Sequence, residues 1–434
     1  MNALSRRCLL AGCLCASSSW ALGRRAYGGT LRLVLPWKVR RLDPQELSDP
    51  ASALFAAAMS DAPFALDSQG RPYPTLAEDL PEARDGGVVR VTLRKGLRTA
   101  RGAALDARDL LATLTRLQQR PGRAVLFGVD RFQRVPKAPL AVDFFGLDAV
   151  ELARRLASPL CALLPRGFSP LEPDATGAFR AELGNTRLRL TRNPHAARGA
   201  AFLDGIEVDA ARELAECLRA FEAGSADVGW LGSGLYRARA GAVAFSGVHY
   251  GWAVLRTGQE ARTWSAPGVA QQLVDGIAPE RLKHLGLEGL PANASASAGW
   301  SFGPAEICVA DDAPQLAWIA DSLAAALSRP GHELRVLPLP QPELSTRRQN
   351  GKYKLMLDFV RALGPPGPLT ALALFAAHDP ETARSLPNLR QFDARELARR
   401  LPFGVVGELW AAGAHRSDFQ AVGGWQLGDI WKKP

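Results

Sequence analysis

The stretch that most constrains the fold runs from Leu93 to Leu117, LRKGLRTARGAALDARDLLATLTRL. Before it, Val88-Val89-Arg90-Val91-Thr92-Leu93 follows the turn signal Asp85-Gly86-Gly87 and is predicted to be a strand. Arg94-Lys95-Gly96 ends that strand, a turn centres on Gly102, and Asp106 stands where a helix should begin. The Asp106 carboxylate can accept from free N–H groups at the helix entry, and Asp109 adds negative charge to the first turn. Ala107, Leu110, Leu114 and Leu117 recur at helical spacing, which predicts one buried face.

The same alternation of strand and helix patterns continues along the chain. Leu31, Leu33 and Leu35 alternate with Arg32 and Val34 as in a strand that ends at Pro36-Trp37-Lys38. Glu213 to Phe221 is helical by periodicity and can end in a left-handed cap at Gly224. His249 to Leu255 reads as a crossing strand. Glu306 to Ala310, a helix from Pro314 to Leu327 with Asp312 as its cap, and Glu333 to Leu337 form a strand–helix–strand of right-handed parallel type. At 434 residues and 47% hydrophobic the chain is too long for one compact core, so two or three lobes are expected. The net charge of +10 comes from scattered Arg rather than runs with aromatic interleaving, and is assigned to solvated surface rather than to nucleic acid.

Several motifs in this frame resemble the family 5 solute-binding proteins, the extracytoplasmic peptide and nickel receptors of ABC importers. They are Gly28-Gly29-Thr30-Leu31, Leu42-Asp43-Pro44, the run from Gly70 to Asp109, Thr176-Gly177-Ala178-Phe179, Arg192-Asn193-Pro194, Leu203-Asp204-Gly205-Ile206, and Gly351 to Phe359. The resemblance covers nearly all of residues 28–431. It implies an α/β, two-lobe periplasmic-binding-protein-like fold of type II, similar to cluster C, with mixed sheets and a hinge. Lobe one is expected from residues 28–47 with 166–253 and 403–434, an accessory subdomain from 48–165, and lobe two from 254–402. The family's usual residues are replaced at Thr99-Ala100, His195-Ala196, Lys354 and Gly367-Pro368.

Residues 1–23 read as an export signal. Arg6 and Arg7 resemble a twin-arginine signature, with cleavage near Gly23. Leu10-Ala11-Gly12-Cys13 also matches a lipobox, which would make Cys13 a lipid anchor. The expected location is therefore periplasmic or extracytoplasmic, with a membrane-anchored lipoprotein as the alternative. Three of the six cysteines fall in this segment, and Cys161, Cys217 and Cys308 are expected to be buried free thiols.

Catalysis has no positive support. No nucleophile elbow, Walker or dinucleotide fingerprint follows a strand, and no His or Cys pair has metal spacing, so the chain is read as a non-enzyme without cofactor or metal. The resemblance implies capture of a small peptide-like solute and delivery to an ABC permease, by a monomer. The alternative is a degenerate, non-transporting member that acts as a sensor or partner in the envelope. The amine-binding Asp of peptide-binding members has no counterpart at Gly367-Pro368, so Asp358 is the candidate anchor, with Phe359, Trp37, Trp230 and Trp252 as candidate pocket walls.

Overall fold

The computed structural model describes residues 27–229, 241–285, 287–290, 299–364, 372–374, 376–377, 398–421 and 426–433. The expected export segment with Arg6, Arg7 and Cys13, and also Trp230 and Gly367-Pro368, lie outside the described residues.

The first sheet has four strands. Thr30–Leu35 runs parallel to Gly205–Ala210, which pairs antiparallel with Arg187–Arg192 and then Phe179–Leu183 at the edge. Leu31, Leu33 and Leu35 are buried and Arg32 faces out, as the alternation predicts. The motifs brace this sheet. Asn193 is wholly buried and donates its Nδ2 to the Gly177 carbonyl at 2.7 Å, pinning the turn after Arg187–Arg192. Arg192 donates to the carbonyls of Ala201, Phe202 and Leu203, closing the loop that leads to Asp204. Asp204 in turn accepts from the Gly29 backbone at 2.8 Å. Gly177 has no room for a Cβ, which would sit 2.4 Å from the Met59 backbone.

The accessory sheet follows the order Glu82–Arg84, Val88–Thr92, Ala141–Phe145, Arg131–Arg134. The helix Ala107–Gln118 carries a full capping box: Asp106 accepts from the first turn and Asp109 reaches back to the Asp106 N–H at 2.9 Å. Asp109 thus does more than charge the first turn. Leu110, Leu114 and Leu117 are fully buried. The same helix presents Arg116 to Asp43 at 2.8 Å, and Arg120 joins at 2.9 Å. Burial works to raise the Asp43 carboxyl, but the Arg116 hydrogen bond and the two guanidinium charges outweigh it and hold it below the usual carboxylate range. Pro44, next in the chain, accepts from the buried Arg361 Nη1 at 2.8 Å. The Leu42-Asp43-Pro44 motif therefore ties the accessory subdomain to the second sheet.

That second sheet has five strands in the order Leu334–Leu339, Ala305–Ala310, Leu355–Arg361, Ala242–Thr257, Phe403–Arg416. Ala305–Ala310 and Leu334–Leu339 are parallel and joined by the helix Pro314–Leu327, as predicted. Leu316, Ile319, Leu323 and Leu327 form its buried face. One detail differs. Ala313, not Asp312, is the N-cap and no side chain caps the helix; Asp312 Oδ1 instead accepts from Gln341 Nε2 at 3.1 Å. Cys161, Cys217 and Cys308 are buried free thiols, and burial pushes the first two up to about 12.

Ala242–Thr257 and Phe403–Arg416 form a long antiparallel ribbon from Ala242↔Arg416 to Arg256↔Phe403. One end lies in the five-stranded sheet. The other reaches the first sheet through Val228, which bridges both Leu33 and His415. Phe403–Arg416 thus pairs within the five-stranded sheet and also touches the strand bridge to the first sheet. Register shifts interrupt the ribbon around His249 and Gly251. A Cβ on Gly251 would meet the Phe359 ring and the Val360 carbonyl at 2.4 Å.

His249 stacks on Trp410 at 5.3 Å and meets Trp252 edge-on at 4.7 Å. Burial pushes the His249 imidazole below its ordinary value, against the pull of Glu408 and the Gly251 carbonyl. Burial lowers His415 likewise, helped by Lys433 and opposed by the Arg416 carbonyl and Asp418. Both rings fold neutral. Their contribution to stability is full above the unfolded value of about 6.5 and is lost as pH falls through the lower folded values. The expected outcome is a melting temperature that drops between about pH 7 and pH 5, with a shallower drop in a His249→Gln, His415→Gln variant. Thermal denaturation at constant ionic strength checks it, and equal slopes would remove these two rings as the cause.

Candidate ligand cleft between the lobes

Three strands point their carboxyl ends at one crevice. Thr30–Leu35 leads to Trp37, Ala305–Ala310 leads to Asp312, and Leu334–Leu339 leads to Gln341. Crevices of α/β sheets collect ligands at such ends, because the loops there are free to vary while the strands stay fixed. The cleft measures about 190 Å³. That is below the roughly 300–1,000 Å³ of drug-sized pockets, so a small solute fits it best as it stands.

The first-lobe wall carries Trp37, Lys38, Arg40 and Arg41, followed by Asp49-Pro50-Ala51 at the start of the helix Pro50–Met59. The second-lobe wall carries Ala313, Gln315 and Leu316 from the helix Pro314–Leu327, with Leu409 from the ribbon. Two groups of the lining are already engaged within the protein, Asp49 and Gln315. Asp49 caps its helix, accepting from the Ala51 and Ser52 N–H groups at 3.2 Å each. Burial pushes its carboxyl above the ordinary value, against the Ser52 hydrogen bond and the charge of Arg41. Gln315 accepts from the Tyr250 hydroxyl at 3.1 Å. Lys38 and Arg40 are exposed and form no ion pair among the described residues, while Arg41 lies 4.0 Å from Glu46.

Of the five candidate ligand residues, the structure brings Trp37 to this cleft, where it is 8% exposed. Trp230 lies outside the described residues. Trp252 is buried against Val254 and Val360 in the core. Phe359 is fully buried and stacks on Tyr250 at 5.7 Å. Asp358 sits mid-strand, not at a strand end, with its carboxylate inside the protein. Arg256 Nε donates to one oxygen and Arg348 Nη2 to the other, each at 2.9 Å. The cause is topological. Leu355–Arg361 lies between Ala305–Ala310 and Ala242–Thr257, and every one of its residues is buried. The continuous run Leu355-Met356-Leu357-Asp358-Phe359-Val360 carries that signal. For Lys38, Arg40 and Gln341 the only available signal was a place just after a strand.

Among the described residues, no group of three or more His, Cys, Asp or Glu could hold a metal, and no helix is long and apolar enough to cross a membrane. No protein-family model matches the chain, and no curated protein matches it either. Solved structures do. The oligopeptide-binding protein AppA of Bacillus subtilis, in complex with a nonapeptide, superposes with a TM-score of 0.70 at 12% identity, over 95% of this chain and 100% of that one. The dipeptide binding protein of Pseudoalteromonas sp. SM9913, in complex with Met-Leu, gives 0.69 at 15% identity over 93% and 100%. NikA from Staphylococcus aureus, in complex with Ni(L-His)2, gives 0.66 at 13% identity over 90% and 96%. The chain has the two-lobe fold of these binding proteins. The architecture that the sequence motifs imply is thus the one found, across nearly the whole chain, although identity is low.

Asp358 has a structural duty that can be measured. Arg256 is 4% exposed and also lies over the Phe403 ring. Asp358→Asn leaves this guanidinium without its charge partner and is expected to cost about 3–5 kcal/mol of folding stability. Denaturant titration checks it, and a cost below about 1 kcal/mol would show that the pair is dispensable.

Proposed function

We propose that the chain is an extracytoplasmic solute-binding protein that closes on a small peptide-like solute and presents it to an ABC permease. The observation that carries this reading is the cleft itself. It lies between two lobes, at the carboxyl ends of strands from both, and is walled by Trp37 on one side and Leu316 and Leu409 on the other. The fold adds support, since AppA and the Pseudoalteromonas protein are binding proteins solved with peptides. Export through a twin-arginine signal at Arg6 and Arg7, or anchoring through Cys13, belongs to the same proposal and rests on sequence alone.

In this mechanism the solute binds one lobe first and gains contacts to the second only on closure. Those extra contacts set the closed-state preference, which is the quantity a permease can read. Trp37 supplies a flat apolar face that costs little side-chain entropy to order.

Native mass spectrometry of the protein purified from its own host tests this. The expected result is a bound small solute, released on denaturation and rebound by the stripped protein, with Trp37→Ala weakening rebinding about tenfold or more. Protein that carries no solute and rebinds none from a host metabolite extract would overturn the solute-binding reading.

A further inference from the structure

The charge distribution of the cleft deepens that reading and depends on it. Lys38, Arg40 and Arg41 all line the first-lobe wall. Against them stand two carboxylates: Asp49, held by the N–H groups of its own helix and buried, and Asp312, which accepts from the Gln341 amide through one oxygen and keeps its charge. The remaining polar groups are neutral. Arg41 has Glu46 nearby, but Lys38 and Arg40 have no ion-pair partner among the described residues. Asp358 is no counterweight, since both its oxygens are held by arginines inside the protein. The cleft therefore sets three cations against two carboxylates, of which Asp312 remains available to a ligand's ammonium group, so the excess charge of the lining is positive.

We propose that this cleft selects acidic solutes, small peptides with an acidic side chain, whose carboxylate pairs with Lys38 and Arg40 while the apolar part packs on Trp37. The rest of the lining agrees. Across the cleft the helix Pro314–Leu327 starts with no side-chain cap, so the positive end of its dipole adds to the field. Pairing at exposed side chains is screened, so the selectivity depends on salt. Arg favours bidentate carboxylate geometry and Lys acts as a point charge, so Arg40 is the more selective of the two.

Calorimetry on the wild-type protein with Leu-Glu, Leu-Ala and Leu-Lys as probes tests the charge class at nearly constant apolar content. The expected order is Leu-Glu tightest and Leu-Lys weakest. Lys38→Gln with Arg40→Gln should weaken Leu-Glu about tenfold or more, leave Leu-Ala within about threefold, and flatten the salt dependence of Leu-Glu binding. The charge-preserving exchange Lys38→Arg with Arg40→Lys should keep the preference for Leu-Glu. These side chains are exposed, so an unchanged melting temperature separates lost pairing from lost fold. Leu-Ala or Leu-Lys binding as tightly as Leu-Glu would overturn the acidic preference and leave solute binding intact. Failure of all three probes, with another co-purified solute that is not acidic, would overturn it as well. Failure of the probes with no solute at all removes the solute-binding reading too.

Discussion

The structure depends on the pairing of Ala242–Thr257 with Phe403–Arg416. This ribbon belongs to the five-stranded sheet at one end and reaches the first sheet through Val228 and His415 at the other. Two separate strands therefore cross between the lobes side by side. Paired crossings resist twist and shear, because each backbone hydrogen bond fixes the register of the next. They leave bending as the softer motion. The irregular register around His249 and Gly251 concentrates that softness at the centre of the ribbon.

Around this ribbon the interior is held by charge as well as packing. Arg361 emerges from the central strand to reach Pro44, and Asp43 beside it gathers Arg116 and Arg120. Arg361 itself is so buried that its guanidinium falls to about 10, in spite of Asp49, Asp43 and Glu46 nearby. Asp358 binds Arg256 and Arg348 a few residues away. Such buried pairs are costly to break and add little over an apolar core of the same shape. Their use here fits register: the Asp43 pairs link the accessory subdomain to the loop after the first strand, and the Asp358 pairs link neighbouring elements of the five-stranded sheet.

Much of the fold was legible in the sequence, and for local reasons. The alternation of Leu31, Leu33 and Leu35, the capping pair Asp106 and Asp109, and the apolar stripe of Pro314–Leu327 are short-range signals that the structure repeats. The motif residues Asn193, Asp204 and Asp43 turn out to be braces, so their presence reports the fold more than the ligand. The site was less legible. Its walls come from residues near 40, 50, 313, 341 and 409, which only the tertiary fold brings together. Asp358 and Phe359 looked like a strand end because a motif placed them there. Burial on both faces of the sheet decided otherwise. Trp37 reaches the cleft because it follows a strand whose carboxyl end opens there, a placement that sheet geometry supplies without any partner.

Solute binding of the proposed kind requires the two lobes to move about the ribbon when a solute enters. Spin labels on exposed Arg189 of the first sheet and Arg335 of the second, introduced as cysteines, would report the interlobe distance directly; the native thiols described here are buried. The expected distance distribution shifts to a shorter, narrower peak when the stripped protein receives its co-purified solute, and returns on stripping. One unchanged distribution with solute bound, as confirmed by mass, would contradict closure as the working motion of this fold.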